Sequence, residues 1–206
     1  PAISDAVAYG IILNAREEVI QTNTSFTSPV SLSDGDNIIK VRAQDDVGNL
    51  SEYGTHTVLI DTLAPAIPNV SSSSDKHNIK RPTWTWDVIS DAEEFAWELT
   101  KVNSDGSTIA NVAAGTTTLN SYTPTQDLTD GLYKFGVSAS DELGNESDQG
   151  SYTLEVDVTV PNVPQISVDS PTRNRKPSWT YSSDSSDVIG YGVKFGDGTE
   201  EFTTDT

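Results

Sequence analysis

An internal repeat is the feature that most constrains how this 206-residue chain can fold. Residues 34–68 align without a gap on residues 130–164, at an offset of 96 positions. The matched positions include Asp-Gly and Gly-Asn dipeptides and two prolines, namely Asp34-Gly35 with Asp130-Gly131, Gly48-Asn49 with Gly144-Asn145, Pro65 with Pro161 and Pro68 with Pro164. A repeat of this length indicates an array of similar units rather than one large domain.

Two further matches extend the repeat to the rest of the chain. Residues 81–86 (RPTWTW) resemble residues 176–181 (KPSWTY). Residues 5–11 resemble residues 187–193, at a distance close to two repeat lengths. Every part of the chain is therefore related to another part, which predicts modules of one kind.

The order of the matched segments predicts three modules. The first is partial and lacks its early strands, the second is complete, and the third is partial and lacks its late strands; the predicted boundaries are residues 1–64, 65–160 and 161–206. We therefore expect the chain to be a window from a longer array.

Each module is predicted to be all-β. Apolar residues alternate with polar ones over short runs, which is typical of strands with one buried face. The run from Tyr133 through Phe135 and Val137 to Ala139 shows this period of two. Asp-Gly, Asn-Ser and Gly-Asn turns separate the runs at a spacing typical of a β-sandwich. Since Trp84, Trp86, Trp97 and Trp179 lie in or next to such runs, we expect them in the core and not on a sugar-binding face.

Composition excludes several classes of function. Twelve Lys and Arg against 31 Asp and Glu give a formal net charge of −19, which opposes binding to nucleic acid through phosphate neutralisation. No apolar run approaches the length of a membrane-spanning helix, so we expect no direct membrane insertion. Zero cysteines exclude thiolate chemistry, and His56 and His77 stand in no catalytic motif. We expect that the chain is not an enzyme.

The repeated residues resemble a known family. The string D-G-x-Y-x-F-x-V-x-A-x-D-x-x-G-N-x-S stands from Asp130 to Ser147, and Val156-Asp157 and Pro161 follow it. Together with the R/K-P-T/S-W-T-W/Y motif, it resembles the tandem bacterial immunoglobulin-like modules of large surface adhesins. The resemblance implies tandem immunoglobulin-like β-sandwich modules that act as extenders of a bacterial cell-surface or secreted protein. It also implies contact between neighbouring modules and Ca²⁺ at their junctions.

The positions of the acidic residues are compatible with such a calcium site. Ca²⁺ takes about six to eight oxygen ligands, so a junction site needs side chains from several segments. Three segments are expected to meet at one end of a sandwich. They are the loop between the last two strands, the loop after the Trp84 strand and the end of the preceding module. We expect the first junction to gather Asp61, Asp87 or Asp91, Asp141, Glu142 and Asn145. By the same rule, the second junction should bring Asp157 together with Asp184 or Asp187.

Other interpretations stay open at this stage. Aspartates are also found in solvated loops, although for Asp61 and Asp157 we favour the ligand interpretation. We interpret Gly48 and Gly144 as turn residues that tolerate positive φ. An exposed aromatic face would favour a module that binds glycan or protein. The two partial modules also raise the hypothesis of a self-assembling subunit, in which another copy of the chain completes them by strand exchange.

Overall fold

The structure is a computed structural model that describes residues 5–168, 170 and 172–204. The outer ends of the first and last predicted modules, residues 1–4 and 205–206, lie outside the described residues. Strands, turns and loops make up the described part, which contains no α-helix. The all-β prediction is confirmed. In the described ranges there is accordingly no helix of the length and apolarity needed to span a membrane.

Residues 8–60 form a single antiparallel sheet. Its four strands are β1 (Ala8–Leu13), β2 (Val19–Gln21), β3 (Gly35–Gln44) and β4 (Gly54–Ile60). They lie side by side in the order β2-β1-β3-β4. Ile11 and Leu13 of β1 are buried, whereas β4 is exposed along most of its length.

Residues 70–156 form two sheets packed face to face. The strands are β5 (Val70–Ser72), β6 (Lys76–His77), β7 (Trp84–Trp86), β8 (Glu94–Val102), β9 (Thr108–Thr117), β10 (Ser121–Tyr122), β11 (Gly131–Ser140) and β12 (Gly150–Val156). One sheet has the order β10-β7-β5, and the other has the order β6-β12-β11-β8-β9. Strand β6 pairs with β12 in parallel, and the other pairs are antiparallel.

Residues 70–156 lie within the module that the sequence predicts to be complete, and we call them the complete module. Their core lies between the two sheets and is rich in aromatic rings. Phe135 is fully buried, and the ring centroids of Trp84, Trp86 and Tyr122 lie 5.5, 5.7 and 5.2 Å from its own. Such offset stacks contribute beyond the area that they bury. The predicted alternation is confirmed, since Tyr133, Phe135, Val137 and Ala139 are all buried.

Residues 165–204 form two separate pairs of strands. The first pair is β13 (Gln165–Ser167) with β14 (Thr180–Ser182), and the second is β15 (Gly190–Val193) with β16 (Glu201–Thr204). Trp179 matches the buried Trp84 in the repeat, yet 45% of its surface is exposed. The expectation that all four tryptophans are core residues is therefore wrong for Trp179. The physical reason is that the described residues hold no strands equivalent to β11 and β12 to cover this face.

Candidate functional site at the module junctions

Two proline-containing linkers join the three groups of strands. Residues 61–69 connect β4 to β5, and residues 157–164 connect β12 to β13. Pro65 and Pro68 of the first linker are buried, whereas Pro161 and Pro164 of the second are exposed. Because proline fixes φ, each linker has fewer conformations available than a Gly-rich or Ser-rich one.

The loop between β11 and β12 is stabilised by hydrogen bonds that the carboxylate of Asp141 accepts from residues of the same loop. Asp141 Oδ1 accepts hydrogen bonds from the backbone N of Leu143 at 2.9 Å and of Asn145 at 2.8 Å. Asp141 Oδ2 accepts another from Asn145 Nδ2 at 2.7 Å. These bonds, above all the one from the Asn145 side chain, hold the pKa of Asp141 below its ordinary value.

The first repeat contains the same hydrogen-bond pattern within its equivalent loop. Asp45 accepts hydrogen bonds from Asn49 N at 2.7 Å and from Asn49 Nδ2 at 2.8 Å, and its pKa is lowered for the same reason. Gly48 and Gly144 have φ values of 92° and 83°. Because positive φ is easily adopted only by glycine, the interpretation of both as turn residues is confirmed.

A hydrogen bond crosses the first junction. Asn145 Nδ2, from the complete module, donates to the backbone oxygen of Asp61 at 3.2 Å, just after the last strand of the preceding sheet. The carboxylate of Asp61 accepts a bond from Leu63 N at 3.1 Å. Of the predicted site residues, Asn145 thus contacts both Asp61 and Asp141.

The other residues predicted for the first junction lie on exposed loops. Glu93 N donates to the Ser140 backbone oxygen at 2.8 Å, so the loop that carries Asp87 and Asp91 passes beside the Asp141 loop. The side chains of Asp87, Asp91 and Glu142 are exposed and take no part in the contacts of Asn145 with Asp61 and Asp141.

At the second junction, the predicted acidic residues take different partners. Asp157 forms an ion pair with Lys76 of its own module, with 3.0 Å between Oδ2 and Nζ. Asp184 accepts a hydrogen bond from the linker residue Asn162 at 2.9 Å, and Asp187 is exposed. In the described part of the chain, Asp157 therefore contacts Lys76 instead of Asp184 or Asp187.

The donor chemistry fits a hard cation only in part. Carbonyl, carboxylate and amide oxygens of Asp61, Asp141 and Asn145 are the class of ligand that Ca²⁺ prefers. Within the described ranges, however, no three acidic or histidine side chains are gathered tightly enough to hold a metal ion. The side-chain N–H of Asn145, and not its oxygen, faces Asp61. Calcium at this junction stays a prediction.

Sequence reasoning missed the residues that hold the start of each linker. Asp34 Oδ1 accepts hydrogen bonds from both N and Oγ1 of Thr62, each at 2.9 Å. Asp130, 96 positions on, accepts one from Val158 N at 2.7 Å and another from Thr159 Oγ1. The signal was present in the repeated Asp-Gly dipeptide, but that dipeptide is also typical of a simple turn.

Comparison with known families agrees with this architecture. The two packed sheets of residues 70–156 are an immunoglobulin-like β-sandwich. Residues 69–158 match the family model described as a bacterial Ig-like domain. The resemblance seen in the sequence is thus confirmed for the complete module. A search among curated proteins gave no match.

Three solved structures are similar to the chain at low identity. Fibronectin(III)-like modules of Clostridium thermocellum CbhA share 15% identity, with 76% of this chain and 80% of that one covered and a TM-score of 0.39. A tetra-tandem repeat from the extending region of a large adhesion protein shares 22%, with 98% and 56% covered and a TM-score of 0.35. Dimeric latent PorU from Porphyromonas gingivalis shares 11%, with 76% and 16% covered and a TM-score of 0.32.

Proposed function

We propose that this chain is a spacer from a bacterial cell-surface or secreted protein, built from immunoglobulin-like modules that hold another domain at a distance. The observation that carries the proposal is the direct contact across the first junction, between Asn145 Nδ2 and the Asp61 backbone oxygen. A spacer needs modules that keep their relative direction, and a hydrogen bond between modules opposes free rotation about the linker. In this proposal the chain has no catalytic role.

The charge of the chain supports the same function. A net charge of −19 produces repulsion between parallel copies, which keeps extended arrays separate in solution. Buried prolines in the first linker add stiffness, since they restrict the backbone between the two modules.

Calcium binding at the first junction is the finer part of the proposal. Asp61, Asp141 and Asn145 would supply the first oxygen ligands, and Asp91 or Glu142 would complete the shell after a movement of their exposed loops. The ion would then replace the hydrogen bonds inside the Asp141 loop and add stiffness to the junction.

Thermal unfolding tests the calcium part. The melting temperature is measured first in EDTA and then after millimolar Ca²⁺ or Mg²⁺ is added. An ion that binds only the folded chain raises the melting temperature by mass action. We expect a rise specific to Ca²⁺ that Asp141→Asn removes. Asp105→Asn is the matched control, because Asp105 accepts comparable hydrogen bonds from Ser107 in the turn between β8 and β9, at the opposite end of the module from the Asp141 loop. No shift in the unmodified chain would reject calcium and leave a spacer without metal.

A second candidate function is self-assembly through the third group of strands. Trp179, Tyr181 and Phe195 line an open apolar cleft of about 490 Å³, and Phe195 is 81% exposed. Strands β3 and β4 of another copy are equivalent to β11 and β12, which cover the matching face in the complete module. Glycan binding is less well supported, because Trp179 occupies the position of the core residue Trp84.

Light scattering after size-exclusion chromatography tests this candidate over a wide range of concentration. Strand exchange predicts dimers or larger species that Trp179→Ser dissociates. A mass that stays monomeric up to high concentration would reject it.

A further inference from the structure

The first residues of each linker are bound to a carboxylate from the module that they leave. Thr62 donates both its N–H and its hydroxyl to Asp34, at 2.9 Å each. At the second linker, Val158 N donates to Asp130 at 2.7 Å and the Thr159 hydroxyl donates to the other oxygen. The same contact therefore occurs twice, 28 residues along the chain from the aspartate each time.

Strand register explains why the carboxylate reaches this position. Gly35 is the first residue of β3 and pairs with Ile60, the last residue of β4. Gly131 pairs in the same way with Val156 at the end of β12. The aspartate before each glycine therefore lies opposite the point where the chain leaves the sheet. Its carboxylate accepts the backbone N–H that the ended strand ladder leaves free.

Glycine is needed at the next position for the same geometry. Gly35 and Gly131 have φ values of 96° and 143°, a region that other residues rarely adopt. This backbone conformation turns the chain into β3 or β11 directly after the aspartate. The Asp-Gly dipeptide thus places an acceptor beside the start of the linker.

The far end of each linker is held by the module that it enters. The Pro68 backbone oxygen lies so close to Gly150 that a Cβ there would approach it to 1.8 Å. At the second junction, Asn162 N donates to Ser185 Oγ at 2.8 Å and Asn162 Nδ2 donates to Asp184 at 2.9 Å. Both linkers are therefore in contact with the residues that precede them and with the residues that follow them.

We infer that Asp34 and Asp130 are linker clamps, meaning positioning residues whose carboxylates fix the direction in which the next module leaves, without a metal ion. The inference rests on the proposed spacer function and identifies residues that give it stiffness. The groups bound to each carboxylate are N–H and O–H donors, which a cation at the same oxygens would displace. Hydrogen bonds to a charged acceptor are stronger than neutral ones, so each linker clamp restrains rotation at the start of its linker.

Distances between spin labels on the first two modules test the inference. The chain has no cysteine, so Thr55→Cys and Thr116→Cys place one exposed label in each module without interfering thiols. The width of the distance distribution is measured in EDTA for the otherwise unmodified chain, for Asp34→Ala and for Asp36→Ala. Asp36 is the matched control, because it is an exposed aspartate only two residues away.

We expect a narrow distribution in the otherwise unmodified chain and in Asp36→Ala. In Asp34→Ala the width should grow about twofold, as the released linker approaches flexible-coil behaviour. Asp34→Asn keeps one oxygen acceptor and should give an intermediate width. Far-ultraviolet circular dichroism confirms that each variant is folded, so that a broad distribution reports the junction and not unfolding.

The outcomes separate the linker clamp from the spacer function. A narrow distribution in folded Asp34→Ala, equal to that of the control, overturns the clamp and leaves the spacer intact. A distribution that is broad in EDTA and narrow in Ca²⁺ for the unmodified chain overturns the clamp in favour of calcium. A distribution that is broad under both conditions overturns the clamp and the spacer function together.

Discussion

Phe135 stabilises the complete module through contacts with rings from both sheets. Its side chain is fully buried, and four aromatic rings have centroids within 6.0 Å of its own. A chain without disulfides has to obtain its stability from such packing. The small sheet β10-β7-β5 supplies Trp84, Trp86 and Tyr122 to this cluster, so Phe135 couples the two layers.

Truncation of Phe135 is expected to destabilise the module strongly. Phe135→Ala removes the ring and leaves a cavity, which costs about 3–5 kcal/mol in the free energy of unfolding. Ile109→Ala, at a position that is 54% exposed, is the control and should change it by no more than about 0.5 kcal/mol. Urea denaturation of both variants measures the difference. Equal effects would contradict the central role of Phe135.

Gly150 matters because the linker backbone lies directly against it. In Gly150→Ala the new Cβ would meet the Pro68 oxygen at 1.8 Å, so the linker or β12 must shift. We expect a loss of about 1–3 kcal/mol, as for other overpacked sites.

Gly54→Ala provides the matched control, since Gly54 is the equivalent residue of the first repeat. There the nearest atom is the Val41 oxygen at 3.7 Å, an ordinary contact. Its unfolding free energy should stay within about 0.5 kcal/mol of the unmodified chain. Comparable losses in both variants would show that the close approach of Pro68 is not the cause.

The local sequence pattern predicted the strands better than it predicted the contacts at the module junctions. The alternation through Tyr133 and Phe135 predicts β11 because burial of one face of a strand requires an apolar residue at every second position. The hydrogen bond that Val158 N donates to Asp130 has no comparable sequence signal, since its partners are 28 residues apart and Asp-Gly is also typical of an ordinary turn. The convergence of Asp61 with Asn145 was predictable only because sandwich topology brings distant loops to one pole.

The loop that Asp141 stabilises by accepting hydrogen bonds should lose stability in acid. The pKa of Asp141 is lowered in the folded chain, mainly by the Asn145 side chain, so its contribution to stability is complete above the unfolded value of about 3.9. That contribution is lost as the pH falls through the lowered folded pKa. We therefore expect the melting temperature to fall steeply below about pH 4.

Asp141→Asn distinguishes this loop from the general effect of acid. The variant cannot titrate at this position, so its melting temperature should approach that of the unmodified chain as the pH falls. Thr116→Asn, an exposed substitution in β9 that changes no titratable group, should give a melting temperature that runs parallel to that of the unmodified chain at every pH. A constant difference between Asp141→Asn and the unmodified chain from pH 7 to pH 3 would contradict the role of the ionised carboxylate.

The relative direction of the modules depends on linkers that are held by the residues on either side of them. Asp34 and Asp130 bind the start of each linker. Further along, Pro68 of the first linker lies against Gly150, and Asn162 of the second linker donates to Ser185. The charge of −19 opposes lateral association, so stiffness has to come from these contacts within one chain or from a bound ion.

Small-angle X-ray scattering of the chain in EDTA and in Ca²⁺ measures whether the modules keep their relative direction. Modules that keep their relative direction give a pair-distance distribution with separate maxima for distances within and between modules. We expect these maxima to be present in EDTA and to be unchanged or sharper in Ca²⁺. A smooth distribution without a maximum between modules under both conditions, as flexibly tethered modules give, would contradict this expectation.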